Sequence, residues 1–577
     1  MKSALDNHRL RIEYSVRIAL IVLLGALVVS IIMLSCVPPV SKDALTHHLA
    51  MPKLYLQQGG IYEIPWARWS YYPMNLDLLY MIPLYFGNDI IPKFIHFAFA
   101  LMTSGLIFGY LKKRTHTLYA LLGVITFLSI PIIVKLSITA YVDLGLIFFS
   151  TAALICLFKW VESRFNWKFL ILSAICCGLA VGTKYTGLIG FFLITLFVIF
   201  IYSKSAVPTA GNQIKAIGFG AVFIAVTLIV FSPWAIKNYL WTANPIYPLY
   251  KSWFGTPVEK AAPARSAYPG AAENSVSDFH SQDPRGEWSH FAVRKIVYKE
   301  KWWETALIPI RIFFQGQDEN PKYFDGRLTP LLFFFPFFAF MWISRDSPEL
   351  RTEKKILLAF SIFFILFAFA QRDMRIRYIS PAIPPLVLLS ILGFKALIAE
   401  IKSRFPGFSG KIYTGIVLAV TSLLLFQNAG YLVEQFRYVQ PIGYISGRVG
   451  RDDYIEKYRP EYAVIKFANQ NIPADAKILG VYLGNRGYYS ERELIFAHNK
   501  ILWWSLDYEN SAQKMWSDLK RTGITHLIIR YDLFENQIKN NYNEDQRRTI
   551  ALFFKNHLEL LFSKNGYGLF GVRADSG

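Results

Sequence analysis

Long apolar runs dominate this chain and restrict it to a membrane fold. An α-helix needs roughly 20 apolar residues to cross hydrocarbon. Runs of about that size lie at 18–40, 91–111, 117–135, 138–158, 168–183, 186–203, 215–233, 328–344, 356–371, 379–398 and 412–430. The sequence therefore predicts about eleven spans in a mostly α, polytopic transmembrane helix bundle. The pair around GLAVGTKYTGLIG is short, so a tight hairpin or a partly re-entrant element is expected there. The first run has a basic front like a signal peptide. It is long enough to span, however, and no A-x-A-like site precedes Asp43, so it reads as a retained anchor.

The net charge of +21 comes from 61 Lys and Arg against 40 Asp and Glu. In a soluble chain that balance would suggest nucleic acid. Here the basic residues lie mostly in short loops between apolar runs, where they set topology and meet anionic headgroups, and no nucleic-acid partner is expected. Lys2, Arg9, Arg11 and Arg17 precede the first run, and Lys112, Lys113 and Arg114 follow the second. Lys159, Arg164 and Lys168, then Arg351, Lys354 and Lys355, mark further basic loops on the same side. The N-terminus is thus placed inside, and an odd number of spans leaves the C-terminal region outside. The expected location is the cytoplasmic (inner) membrane, multi-pass, with the C-terminal domain on the periplasmic or extracellular side. Cys36, Cys156, Cys176 and Cys177 all fall in or beside apolar runs, which suggests small core residues rather than disulfides or a zinc site.

Residues 1–430 form the expected bundle, including large outer loops at 41–90 and 234–327. Both loops are rich in Trp, Tyr and Pro, as interfacial amphipathic helices would be. Within the second, EKAAPARSAYPGAAENSVSDFHSQDPRG is a candidate lid or a plain excursion. Residues 431–453 read as a linker. From 454 to 577 helical stretches (YAVIKFANQ, SAQKMWSDLKRTG) alternate with strand-like ones (AKILGVYLG, RELIFAH, ITHLIIRY, LELLFSK, YGLFGVR), predicting a small α/β domain. Its turn at Gly484, Gly487, Tyr488 and Tyr489 is no nucleotide fingerprint.

The chemistry-bearing residues gather at one side of the bundle. Asp43, in SKDALTHHLAMPKLYLQQGG, sits where the chain leaves the first span, and an acid at a membrane face is costly unless used. Capping the helix that follows is its structural alternative. His47 and His48 come one turn later. Asp43 and His47 have i, i+4 spacing, but two ligands are a weak metal signal. A substrate hydrogen bond is the preferred role, with no cofactor expected and a divalent metal at Asp43 and His47 the alternative. Tyr72 lies in the aromatic part of the same loop, where Glu63 and Asp77 read as surface or helix-end charges. Asp143 opens an apolar span and could orient Lys184 or a substrate; Lys184 occupies the outer turn of the short hairpin, where snorkelling would also explain it. Arg372, Arg375 and Arg377, followed by Tyr378, crowd an outer connection against the topology rule. Arginine suits bidentate phosphate binding, so Arg375 and Arg377 are candidate clamps, with pairing to Asp373 or headgroups as the alternative. Lys237 and Asn238 are a second choice.

With the strings SKDALTHHLAMPKLYLQQGG, AYVDLGLIFF, PWAIKNYLWTANPIYP and RIRYISPAIPP in place, the chain resembles the GT-C glycosyltransferases. Within that class it is most similar to the protein O-mannosyltransferases, the aminoarabinose transferases and their bacterial relatives. The resemblance implies transfer of a sugar from a polyprenyl-phosphate donor to a glycan, lipid or protein acceptor at the outer face, with inversion. By the same resemblance Asp43 is the general base. Many relatives carry a second acid after it, where this chain has Ala44. A polysaccharide polymerase or ligase, or a lipid or solute transporter, is the alternative; a transporter would place its polar groups near mid-membrane in broken helices.

Overall fold

The computed structural model describes residues 2–205, 209–254, 290–370, 374–405, 415, 426, 428–496 and 510–573. Six of its helices are long and apolar enough to cross a membrane, or seven if one bent pair counts as a span. They are Tyr14–Ser35 within α1 (Lys2–Ser35), α4 (Ile91–Arg114), α7 (Asp143–Glu162), α9 (Gly187–Ser205), α10 (Ala210–Thr242) and the segment Ile376–Arg404. The bent pair is α5 (Thr117–Ser129) with α6 (Pro131–Ser137), which meet at 68°. Pro131 explains the bend, since a residue before proline is driven out of the helical region and Ile130 takes ψ 128°. Shorter apolar helices follow at α8 (Trp167–Thr183) and Leu331–Met341. The expected run at 412–430 lies largely outside the described residues, and the candidate lid, Arg372 and Asp373 wholly so.

The largest apolar cluster of the bundle runs from Leu27 and Ile31 through α4, α5 and α7 to Val387 and Leu392. Where helices come closest, glycine is the reason. A Cβ on Gly393 would lie 2.1 Å from the Phe335 carbonyl oxygen, and one on Gly178 would lie 2.8 Å from that of Thr227.

The outer loop 41–90 folds as a one-turn π-helix (Ala44–His48), then α2 (Ala50–Gln58), a 3-10 turn (Arg68–Tyr71) and α3 (Asn75–Tyr85). α3 exposes Leu79, Ile82 and Tyr85, as a helix lying at the interface does.

The C-terminal region is a five-stranded sheet of order β2-β1-β3-β5-β4. Its strands are β1 (Lys477–Val481), β2 (Glu493–Ile495), β3 (His526–Arg530), β4 (Leu558–Lys564) and β5 (Tyr567–Val572). β1 pairs in parallel with β2 and β3, while β5 runs antiparallel to β3 and β4. Two helices, Tyr531–Asn541 and Glu544–His557, join β3 to β4.

This domain docks on the side of the bundle that carries Asp43. The glycine-marked turn makes the contact, with Gly484 at φ +66°. The Tyr488 N–H donates to the Leu45 carbonyl (3.2 Å), Lys53 Nζ donates to the Tyr488 and Ser490 carbonyls (both 2.9 Å), and the Tyr489 hydroxyl donates to Pro39 (2.7 Å). Arg451 pairs with the buried Asp89 at 2.5 Å.

Candidate active site at the outer face of the bundle

One end of several helices and the loop 41–90 converge on one polar cluster. The Asp43 side chain makes no bond to the helix that follows it, so it is not a helix cap. It pairs instead with Arg377, at 2.6 Å, and both side chains are mostly buried. Burial pushes the Asp43 carboxyl up, but the attraction of the Arg377 guanidinium more than offsets this and holds it well below the ordinary carboxylate range. Arg377 lies over two aromatic rings, 5.4 Å from the centre of Tyr141 and 5.3 Å from that of Tyr378. Such cation–π placement holds a guanidinium without consuming its N–H donors.

Lys184 forms the second half of the cluster. α8 ends at Thr183, the chain turns extended at Lys184, and its Nζ reaches Asp143 Oδ1 at 2.7 Å. The ammonium also sits 5.4 Å from the centre of the Tyr378 ring, so both cations flank one tyrosine. Asp143 opens α7, and His96 builds that helix start. The ring's Nδ1 lies 2.9 and 2.8 Å from the Leu136 and Thr139 carbonyls, and its Nε2 accepts the Leu144 N–H at 2.9 Å. Two carbonyl partners at Nδ1 and a donor at Nε2 fix the Nδ1–H tautomer.

The two histidines take different partners. His48 Nδ1 lies 2.7 Å from Asp77 Oδ1, and both residues are buried. Burial lowers His48 to about 3 and raises Asp77 to about 7, so the pair is held near neutrality with a proton between them. Asp77 is thus a helix-end charge in the first turn of α3, as the sequence allowed, but a buried one and not a surface one. His47 stacks on Trp69, with centroids 5.7 Å apart, and burial pushes it down to about 3.

Tyr72 packs edge-on to Tyr185 at 5.8 Å, and Arg68 bonds to the Tyr72 phenol. Asn238 donates to the Tyr71 and Tyr247 carbonyls and lies 2.9 Å from the Tyr185 hydroxyl, while Lys237 donates to Ser70 at 2.6 Å. These second-choice residues therefore brace the loop. Arg375 is not brought onto Asp43. It pairs with Asp325 at 3.2 Å, in a neighbouring cluster where Lys135 bridges Asp318 and Asp325.

Sequence reasoning missed Arg68, His96 and the His48–Asp77 pair. Arg68 offered a signal, a lone cation among aromatic residues of the outer loop; the other two depend on partners distant in sequence. Several buried polar atoms of the cluster have no protein partner: Arg68 Nε, Arg377 Nε, His47 Nδ1 and Asp143 Oδ2. Most buried polar groups are hydrogen-bonded, and further unpartnered atoms lie elsewhere among the described residues, at Ser150, Trp160 and Ser390 for example. Among the described residues no three His, Cys, Asp or Glu side chains come together as a metal site.

The fold and this cluster define a polytopic membrane protein whose polar centre lies between the bundle and its outer loop. Residues 68–244 match the family model of dolichyl-phosphate-mannose-protein mannosyltransferase. That segment includes Arg68, Tyr72, Asp77, His96, Asp143 and Lys184; Asp43 and Arg377 lie outside it. Crystal structures of ArnT from Cupriavidus metallidurans, in the apo state and bound to undecaprenyl phosphate, share 13% identity and superpose with a TM-score of 0.51. The match covers 95% of this chain in both cases, and 96% and 97% of the respective ArnT chains. The Archaeoglobus fulgidus oligosaccharyltransferase, in a complex with zinc and sulfate, gives a TM-score of 0.51 at 11% identity, covering 95% of this chain and 72% of its own. No curated protein sequence matches the chain. The chain shares the fold of these ArnT and oligosaccharyltransferase structures, and residues 68–244 within it match the mannosyltransferase family model.

Proposed function

We propose that the protein transfers a sugar from a polyprenyl-phosphate donor to an acceptor hydroxyl or amine, at the outer face of the cytoplasmic membrane and with inversion. The observation that carries this is the Asp43–Arg377 pair beside Lys184 and Tyr378: a carboxylate and two cations in one mostly buried cluster. Breaking the bond between the anomeric carbon and the phosphate oxygen leaves one additional negative charge on the departing polyprenyl phosphate. Arg377 and Lys184 meet that charge, and Arg68 is a third donor within the aromatic loop.

Asp43 is the general base. While Arg377 holds it, its carboxylate is a weak proton acceptor. A donor phosphate that draws the guanidinium towards itself releases the carboxylate and raises its basicity. The acceptor's proton then passes to Asp43 as its oxygen or nitrogen attacks the anomeric carbon. The site therefore acquires its base when the substrate arrives. His47, with an unpartnered Nδ1 beside Trp69, is placed to bind a sugar hydroxyl. No metal is needed for this sequence of steps.

Asp43→Asn keeps the shape and removes the base. Transfer from a labelled polyprenyl-phosphate sugar in proteoliposomes should fall by about 10²–10⁴-fold, with the protein still expressed and folded but melting lower than wild type, because Arg377 loses its buried partner. Transfer within a few-fold of wild type would remove Asp43 from the mechanism.

A further inference from the structure

A second feature lies apart from Asp43, where the bundle passes into the C-terminal domain. The helix at 428–439 ends at Gln440, whose left-handed backbone (φ 51°) turns the chain into the short helix Pro441–Ile445. That short helix packs on α1, and the helix Arg451–Tyr458 closes the other side. Between them is a cavity of about 440 Å³ whose apolar wall includes Val433, Phe436, Ile442 and Val449. Its size falls within the ~300–1,000 Å³ range of small-molecule sites.

Arg437 and Lys457 also line it. Among the described residues neither pairs with a carboxylate. Glu434, one turn before Arg437, is already held by Arg327 through two bonds of 2.8 and 2.9 Å. Lys457 donates to the Gln440 side-chain carbonyl and lies 5.5 Å from the centre of the Tyr458 ring. The surroundings have the character of a bilayer boundary. Ile442, Ile445, Val433 and Tyr438 are exposed, and Tyr438, Tyr454 and Tyr458 form a ring cluster with centroids 4.9 to 5.7 Å apart. Tyrosine beside exposed aliphatic residues is the pattern of the membrane–water interface.

We propose that this groove binds one anionic glycerophospholipid, with an acyl chain along Val433, Phe436, Ile442 and Val449 and its phosphate between Arg437 and Lys457. The charge at the rim is what selects the occupant. A purely apolar ligand would leave two cations unanswered, and a neutral zwitterionic lipid would bring its own cation to them. The lipid ties the start of the outer domain to the bilayer surface at the corner made by Gln440.

The test uses the full-length protein, delipidated in mild detergent and titrated with phosphatidylglycerol or phosphatidylcholine under native mass spectrometry. Wild type should bind one more phosphatidylglycerol than the R437Q/K457Q variant, or bind that one about tenfold more tightly, as expected for lost charge-assisted bonds. Phosphatidylcholine should bind both proteins alike. Identical phosphatidylglycerol titrations for wild type and a folded variant would overturn the proposal. If the variant does not fold, the wild-type titrations decide alone: preference for phosphatidylglycerol supports the site, and equal binding of both lipids overturns it.

Discussion

Asp143 and Lys184 illustrate how a single pair can be asked whether it serves stability or chemistry. Asp143 is fully buried, so Lys184→Met strands its charge and should cost about 3–5 kcal/mol. The double change Lys184→Met with Asp143→Asn removes both charges and should recover most of that loss in thermal melts. If Lys184 also meets the departing phosphate, the double variant stays defective in transfer while its melting temperature returns. The His48–Asp77 pair makes a different prediction. Asp77, raised to about 7 by burial, contributes stability that is complete below the unfolded carboxylate value and is lost as pH rises through about 7. His48, lowered to about 3, works in the opposite sense, its contribution being present above the unfolded imidazole value and lost as pH falls. Between about 4 and 6.5 the two slopes oppose one another, leaving a net decline above about 6.5. Between about pH 6.5 and 7.5 the melting temperature of the native protein should fall relative to that of Asp77→Asn, which keeps the His48 contribution and lacks that of Asp77. The sequence showed Asp43, Asp143, Lys184 and Arg377 because charge at a membrane face is expensive wherever it occurs. It could not separate Arg375 from Arg377, since their different partners, Asp325 and Asp43, are set by the turn between them. It likewise missed Asp77, whose partner is brought close only by the folding of α3 against the π-turn.

At the scale of elements, apolar runs located the six or seven helices long enough to cross a membrane, where eleven were expected, and alternation located the strands of the C-terminal sheet. Length did not distinguish spanning helices from shorter ones, because a run such as 117–135 is divided by Pro131 into two helices at 68°. Nor did composition show which glycines matter. Gly393 permits the segment Leu331–Met341 to lie against Ile383–Arg404 with almost no gap, since any Cβ would meet backbone at 2.1 Å. Backbone cannot yield as a side chain can. Gly393→Ala should therefore destabilise the bundle by about 1–3 kcal/mol, seen as a lower melting temperature in detergent. Gly105→Ala, where a Cβ meets nothing within 4 Å, should have no such effect.

Across the whole molecule, the C-terminal domain and the loop that carries Asp43 are joined by several hydrogen bonds. The bonds from Tyr488, Tyr489 and Ser490 to Pro39, Leu45 and Lys53 fall on either side of Asp43. Arg451→Ala leaves Asp89 buried without its cation, at a cost of about 1–3 kcal/mol, and loosens this attachment. Limited trypsin digestion should then cut the 437–451 connection sooner than in wild type, and transfer should decline with it.

Because the clasp grips the chain both before and after the proposed base, damage to the soluble part would mimic damage to the chemistry. A random-mutation screen scored on product alone should return inactivating changes around Gly484 and Tyr489, more than 400 positions from Asp43. Cutting the gene after codon 440 would silence the enzyme for the same reason, through a finger no longer held in place.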